Sequence, residues 1–290
     1  MSHRAYHPRR SVLYMPGANA KALEKARSLP ADSLILDLED AVAPEAKAQA
    51  RAAVAAMVAL RPYGHREVIV RLNALSSAWG GEDLAAIAGA GADALLFPKI
   101  DGREDVEAAA AALATVGAAK LPFYVMIETP RAVLALREIA EASARTALAG
   151  FVVGANDLAK DLRARPTRER QAFLPALAMT VTAARAYGLI AIDAVFNDVQ
   201  DQAGLEAECA QGAAFGFDGK TLIHPNQIEA ANRAFSPAPE EIAHARAVIA
   251  AFEEPGNAGR GVLKVDGRMV ERLHLEEARR LVALAAALLA

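Results

Sequence analysis

Cysteine is almost absent: Cys209 is the single one in 290 residues, which excludes an internal disulfide and a cysteine-built zinc cluster. It lies in an Ala-rich helical stretch, so buried filler rather than nucleophile is its expected role. Positive charge is not in excess either. A formal net charge of -3 gives nothing that favours a nucleic-acid backbone or an anionic membrane as partner. No segment holds the uninterrupted run of about 20 apolar residues that a membrane-spanning helix needs. Leu281 to Ala290 comes nearest, but it is short and continues a helix whose first turns are charged, so it is expected to pack on a domain or subunit. The opening Met1 to Arg10 stretch is polar and basic and runs straight into a strand-like segment. Without an apolar h-region, no signal peptide is expected and a cytoplasmic protein is.

What is present is a large apolar fraction, 54%, with 23% charged residues, enough to bury a sizeable core in one α/β domain. Short β-rich runs alternate with longer Ala-rich amphipathic ones. The expected strands are Ser11 to Met15, Leu34 to Leu38, Val68 to Leu72, Ala94 to Pro98, Phe123 to Glu128, Phe151 to Gly154, Ile190 to Val195 and Ala214 to Phe217. They recur about every 30 residues, the length of one strand plus its crossover helix. Helix-like stretches between them include Ala43 to Leu60, Glu104 to Val116, Arg131 to Ala142, Arg168 to Tyr187 and Gln200 to Gln211. Eight such units close into a (β/α)8 TIM barrel. A doubly wound open sheet is the competitor, and it lacks the Gly-x-Gly-x-x-Gly turn expected after a first strand.

The pattern changes after residue 235. Residues 1–235 are expected to form the barrel, and residues 236–290 a C-terminal helix-hairpin-helix extension that contacts a neighbouring subunit. Glu240 to Glu254 reads as a helix; Asp266-Gly267 between two β-rich runs is a hairpin signal; a last helix starts near Leu275.

The chemistry gathers at strand ends, which in a parallel barrel deliver side chains to one face. Two apolar runs close on single acids, Glu128 and Asp157, and two adjacent strands can bring such carboxylates to one divalent cation. Strand two ends Asp37-Leu38-Glu39-Asp40. Asp40 suits a helix N-terminus, whereas Asp37 on an apolar strand must be solvated, paired or near a cation. Arg71 closes strand three, and its fork of donors suits a substrate carboxylate or carbonyl oxygen, with pairing to Asp37 or Asp40 as the bland alternative. Lys99 closes strand four. A Schiff-base role is open to it, although surrounding carboxylates raise a lysine's pKa and favour a counter-ion role instead. After the eighth strand, Lys220 and His224 stand where phosphate or CoA groups bind, with a turn-stabilising role the commoner reading for His224. Trp79 either covers the site or packs a loop on a helix. His3, His7, His65, His244 and His274 show no ligand spacing.

Taken in order, Arg10-Ser-Val-Leu-Tyr-Met-Pro-Gly17, Leu36-Asp-Leu-Glu-Asp-Ala-Val42, Val70-Arg-Leu-Asn73, Met126-Ile-Glu-Thr-Pro130, Gly154-Ala-Asn-Asp-Leu158, Gly216 to Pro225 and Gly267-Arg-Met-Val-Glu271 resemble the citrate lyase beta subunit and its relatives, the malyl-CoA and citramalyl-CoA lyases. The resemblance spans nearly the whole chain. It implies a TIM barrel with a C-terminal extension, a magnesium ion (manganese as substitute), acyl-CoA or acyl-carrier thioester substrates with a 2-oxo acid, and a homotrimer or hexamer or a place among citrate lyase complex subunits. By position it makes Glu128 and Asp157 the metal pair, Arg71 the arginine facing the reacting oxygen, and Asp37, Glu39 and Asp40 the acidic loop around the metal's waters. The backbone of Gly154, Ala155 and Asn156 would hold the 2-oxo acid carboxylate beside Glu128, and Pro16, Gly17 and Lys21 would meet coenzyme A. Where the stand-alone lyases present a proton-transferring aspartate, this chain presents Glu271, a carboxyl on a longer arm.

The expected reaction is metal-assisted carbon-carbon cleavage of a hydroxyacyl thioester, with Arg71 offsetting oxyanion charge, Asp37 beside it and Glu271 protonating the enolate carbon. A non-catalytic or regulatory acyl-thioester binder and a metal-free Schiff-base aldolase using Lys99 are the alternatives.

Overall fold

The computed structural model describes residues 7–288; His3 and the last two residues of the Leu281 to Ala290 run lie outside them. Residues Arg9–Phe235 form one compact unit and Ser236–Ala290 belong to a second.

In the first unit the elements run β1 (Ser11–Pro16), α1 (Ala20–Lys25), β2 (Ser33–Asp37), α2 (Lys47–Leu60), β3 (Glu67–Arg71), α3 (Gly80–Ile87), β4 (Ala94–Phe97), α4 (Arg103–Thr115) and β5 (Phe123–Ile127). They continue as α5 (Pro130–Leu134), α6 (Leu136–Glu141), β6 (Leu148–Val153), α7 (Ala155–Leu162), α8 (Leu174–Ala186), β7 (Ile190–Asp193), α9 (Gln202–Phe215), β8 (Gly219–Leu222) and α10 (Ile228–Ala234). The eight strands close in sequence order into a barrel, β1 pairing with both β2 and β8. Every pair is parallel, as short strands alternating with helices require.

The strands are buried on both faces, which explains their near-continuous Val, Ile and Leu content. Outward residues such as Leu34, Val70 and Val125 pack beneath the helices. Inward residues Val12, Ile35, Ile69, Leu96, Met126, Val152 and Ile192 fill the barrel. Below them Tyr124 donates its hydroxyl to Glu67 Oε1 at 3.1 Å, and Arg9 grips Glu67 through Nε and Nη2 at 2.7 and 2.8 Å. The period of two carries each inward series upward. Val12 leads to Tyr14 and Pro16, Ile35 to Asp37, Ile69 to Arg71, Met126 to Glu128 and Val152 to Gly154, so the sequence alternation itself delivers these residues to one face.

The eighth strand is not where the sequence reading put it. Ala214 and Phe215 end α9, Gly216 caps it in the left-handed region (φ 91°), and the strand is Gly219–Leu222. Its Lys220 is fully buried and donates to Asp193 Oδ2 (3.1 Å), Glu208 Oε1 (2.6 Å) and the Ala194 carbonyl (2.6 Å). Arg170 adds Nη1 contacts to both Asp193 oxygens at 2.7 and 2.9 Å. An ammonium this enclosed is not open to phosphate or CoA, which corrects the role considered for Lys220. Burial pushes the Asp193 carboxyl up, but Lys220 and Arg170 more than offset it and hold the group below the ordinary carboxylate range. Its contribution is therefore complete above that range and lost as pH falls through the depressed value. Lys220→Met is expected to cost about 3 kcal/mol, because removing one member strands a buried carboxylate; urea unfolding at neutral pH measures it.

The second unit comprises α11 (Pro239–Glu253), the antiparallel strands β9 (Val262–Val265) and β10 (Arg268–Glu271), and α12 (Arg272–Ala287). Asp266 and Gly267 take φ of 49° and 79°, the pair of left-handed residues that a two-residue hairpin turn demands. Val248, Leu263, Val265 and Val270 form its core, with Leu281 packed against it. The second unit's last helix begins three residues before the expected Leu275.

Candidate active site

The upper ends of the inward series line a cavity of about 370 Å³ bounded by Tyr14, Pro16, Asp37, Asp40, Arg71, Met126, Glu128, Gly154, Ala155, Asn156 and Asp157. Nine sequence-predicted residues thus meet at one opening. Glu39, Gly17 and Lys21 are not on its wall, and Glu271 belongs to the second unit.

Asp37 and Arg71 are register partners on β2 and β3. Arg71 Nε and Nη2 donate to the two Asp37 oxygens at 2.7 Å each, a planar fork that fixes the guanidinium. The same oxygens accept the N–H groups of Glu39 and Ala41 at 2.9 and 3.0 Å. With both oxygens engaged in this way, Asp37 positions Arg71 and the loop after β2. Arg71 Nη1 faces the opening, 3.3 Å from Asp40 Oδ2. Its carbon Cζ lies 4.9 Å from the centre of the Tyr14 ring. Glu39 Oε2 is 2.8 Å from Arg71 Nη1 yet buried without hydrogen-bond geometry; burial, opposed by Arg71, pushes this carboxyl up to about 8.

Glu128, one residue past β5, and Asp157, in the first turn of α7 rather than at the end of β6, meet at the Lys99 ammonium. Glu128 Oε1 accepts the Lys99 N–H at 2.7 Å, while the Lys99 ammonium lies 2.5 Å from Asp157 Oδ2 and 3.3 Å from Glu128 Oε1. A cation therefore already stands against both acids. Burial raises the Glu128 carboxyl, with Lys99 opposing; at Asp157 burial is outweighed by the Lys99 hydrogen bond and charge, so that group stays below its ordinary range. Burial would lower Lys99, but Asp157 and Glu128 more than offset it and keep the amine protonated, which suits a counter-ion and disfavours a Schiff-base nucleophile.

Glu128 Oε2 is buried with no hydrogen-bond partner. Among the described residues no set of three or more His, Cys, Asp or Glu side chains could hold a metal. Two hard oxygens, one unsatisfied, around a position already favourable to positive charge fit magnesium, which takes few protein carboxylates and keeps several waters.

Gly154 is required by this packing: a Cβ there would lie 2.6 Å from Glu128 Cβ and 2.8 Å from its Oε2. Gly154→Ala is expected to displace Glu128 and lower turnover at least about tenfold, with a stability loss of about 1–3 kcal/mol; a melting curve beside an activity assay separates the two. The Gly154 N–H, expected to hold a carboxylate, instead donates to the Ile127 carbonyl at 2.9 Å. The N–H groups of Ala155 and Asn156 open α7 and have no intrahelical acceptor. Gly17 likewise spends its N–H on the Asp37 carbonyl at 2.9 Å and packs where a Cβ would lie 2.6 Å from that oxygen. That close packing accounts for the glycine. Lys21 is exposed on α1.

Tyr14, Met126 and Asn197 escaped the sequence reading. Asn197 exchanges side-chain amide hydrogen bonds with Asn156 at 2.7 and 3.3 Å; the alternation through Val12 was the available signal for Tyr14. His224 Nδ1 accepts the Asn226 N–H at 3.2 Å, the turn-stabilising role. Trp79 packs under the Lys47 ammonium, 5.2 Å from its ring centre. Cys209 is buried and its thiol pushed up to about 11 by burial, as filler requires.

A family model described as HpcH/HpaI aldolase/citrate lyase matches residues 10–225. The chain belongs to that family. As a member of the HpcH/HpaI aldolase/citrate lyase family it is an enzyme. The (3S)-malyl-CoA thioesterase of Cereibacter sphaeroides is 49% identical over 290 residues, spanning 100% of this chain and 99% of the relative. The citrate lyase subunit beta of Escherichia coli is 36% identical over 285 residues, 96% of this chain and 94% of the relative. Among family members of known structure, CitE of Mycobacterium tuberculosis, solved with magnesium, acetoacetate and coenzyme A, is 32% identical with a TM-score of 0.74, covering 98% of this chain and 99% of CitE. Among the described residues no helix is long and apolar enough to cross a membrane.

Proposed function

We propose that this enzyme acts on the coenzyme A thioester of a short hydroxy dicarboxylic acid of malyl type, with a divalent cation held by Glu128 and Asp157, and that its net reaction is hydrolysis of the thioester. The observation that carries the choice of reaction is the 49% identity over the whole chain with a malyl-CoA thioesterase, against 36% with a citrate lyase subunit. The substitution at Glu271 supports the same choice. Hydrolysis has no enolate carbon to protonate, so it does not depend on the proton-transferring aspartate that the resemblance places there.

A divalent cation bound at the pair would supply a Lewis acid to the oxygens of the hydroxy acid. The chain's own groups do the rest. The Ala155 and Asn156 N–H groups, at the positive end of α7, receive the substrate carboxylate. Arg71, held by Asp37 so that Nη1 faces the cavity, offsets charge on the thioester carbonyl oxygen when a water that gives up its proton to solvent adds to the carbonyl carbon and the carbon–sulfur bond breaks to release the coenzyme A thiolate. Asp40 is 65% exposed and only loosely held at 3.3 Å, so it can yield Nη1 to substrate.

Carbon-carbon cleavage is the second reading, favoured by the complete barrel site and the retained carboxyl at Glu271. There the hydroxyl proton passes to water, the bond between the hydroxyl-bearing carbon and its methylene breaks to give the 2-oxo acid and a thioester enolate, and a protonated Glu271 carboxyl supplied by a neighbouring copy of the chain protonates the enolate carbon. Incubation with malyl-CoA and magnesium distinguishes the two. Free coenzyme A and malate are expected; acetyl-CoA and glyoxylate would overturn hydrolysis in favour of cleavage.

A further inference from the structure

Lys99 has no part in the proposed reaction, yet both of its ends are committed to the carboxylate pair. Its N–H is 2.7 Å from Glu128 Oε1, and its ammonium touches Asp157 Oδ2 at 2.5 Å and Glu128 Oε1 at 3.3 Å. The residue pays for this position with a left-handed backbone, φ 57°, which a lysine adopts only where surrounding contacts enforce it. Its side chain is 39% exposed and Asp157 is 30% exposed, so the ammonium can leave towards solvent without crossing the core. Glu128, at 1%, cannot follow it.

We infer that Lys99 determines which cations this site accepts: its ammonium occupies the carboxylate pair and only an ion of higher charge displaces it. This rests on reading Glu128 and Asp157 as cation ligands. A sodium or potassium ion brings the same single charge as the ammonium but must arrive from solution, whereas the tethered group competes at an effective concentration in the mM range or above. A divalent ion doubles the Coulomb attraction to both carboxylates and wins the exchange. Lys99 thereby excludes monovalent ions and weakens magnesium binding by the same competition.

The test is calorimetric titration of magnesium into the wild-type chain, Lys99→Met, Lys99→Gln and Lys99→Arg, all without substrate. Both neutral variants are expected to bind magnesium about tenfold or more tightly than wild type, and Lys99→Arg to stay near wild type. Potassium chloride is expected to weaken magnesium binding to Lys99→Met beyond the effect of equal tetramethylammonium chloride, while the two salts act alike on wild type. Equal or weaker magnesium affinity in folded Lys99→Met and Lys99→Gln overturns the role of Lys99, with the ligand reading intact provided Asp157→Asn abolishes binding. Undiminished binding in Asp157→Asn, or none in any chain, overturns both.

Discussion

Asp157→Asn is expected to lower kcat/KM for a malyl-type thioester by about 10³-fold, the scale of losing one preorganised charge contact at a reacting centre. The substitution keeps the size of the side chain and removes the charge that the cation and Lys99 both seek. Because Asp157 sits in the first turn of α7 and is 30% exposed, the helix should lose only about 0.3–1 kcal/mol of dipole stabilisation. The variant should therefore melt close to wild type while excess magnesium fails to restore its rate. Thermal melting and turnover measured on one preparation check both halves, and near wild-type turnover would remove Asp157 from the site.

Arg71→Ala carries the other large effect, and it acts on stability as well as rate. Asp37 would lose both 2.7 Å bonds while remaining buried, and stranding one member of such a pair costs about 3–5 kcal/mol. Turnover should fall by about 10³-fold, since Nη1 also vanishes from the cavity. Arg71→Lys restores the charge without the fork. It is expected to recover most of the stability, read by urea unfolding, and little of the rate; equal recovery of both would mean that charge alone is what the site uses.

The first seven strands were legible because a parallel barrel strand is buried on both faces and reads as an unbroken apolar run. The eighth was not, because Gly219–Leu222 carries Lys220, whose charge is satisfied by Asp193 and Glu208 from elsewhere in the chain. The nearby Ala214 to Phe217 looked more strand-like, yet it is a helix end closed by Gly216. Arg131 to Ala142 read as one helix and is two, broken at Ala135. Arg168 to Tyr187 starts late because Arg170 is left-handed and committed to Asp193, with Pro175 in the first turn of α8.

The site divides along similar lines. Residue type and strand-end position sufficed to gather Asp37, Arg71 and Glu128 around one opening, whereas Asp157 reaches it from the first turn of α7. Pairing of Arg71 with Asp37 and a counter-ion role for Lys99 stood among the open readings; what escaped was which atoms meet, that both Asp37 oxygens take the Arg71 fork, that Lys99 joins Glu128 to Asp157, and that Gly154 and Gly17 donate their N–H groups to carbonyls. Such facts depend on which neighbours the closed barrel brings within about 3 Å, and spacing along one chain does not encode them.

The most direct measurement is a crystal of the full chain grown with manganese in place of magnesium, with anomalous diffraction used to locate the ion. One peak coordinated by an oxygen of Glu128 and an oxygen of Asp157, at the roughly 2.0–2.2 Å of a hard divalent ion, is the expected result, with the Lys99 ammonium turned out of the gap. A fully loaded ion bound elsewhere, or bound to one of these carboxylates with the other turned away, would contradict it.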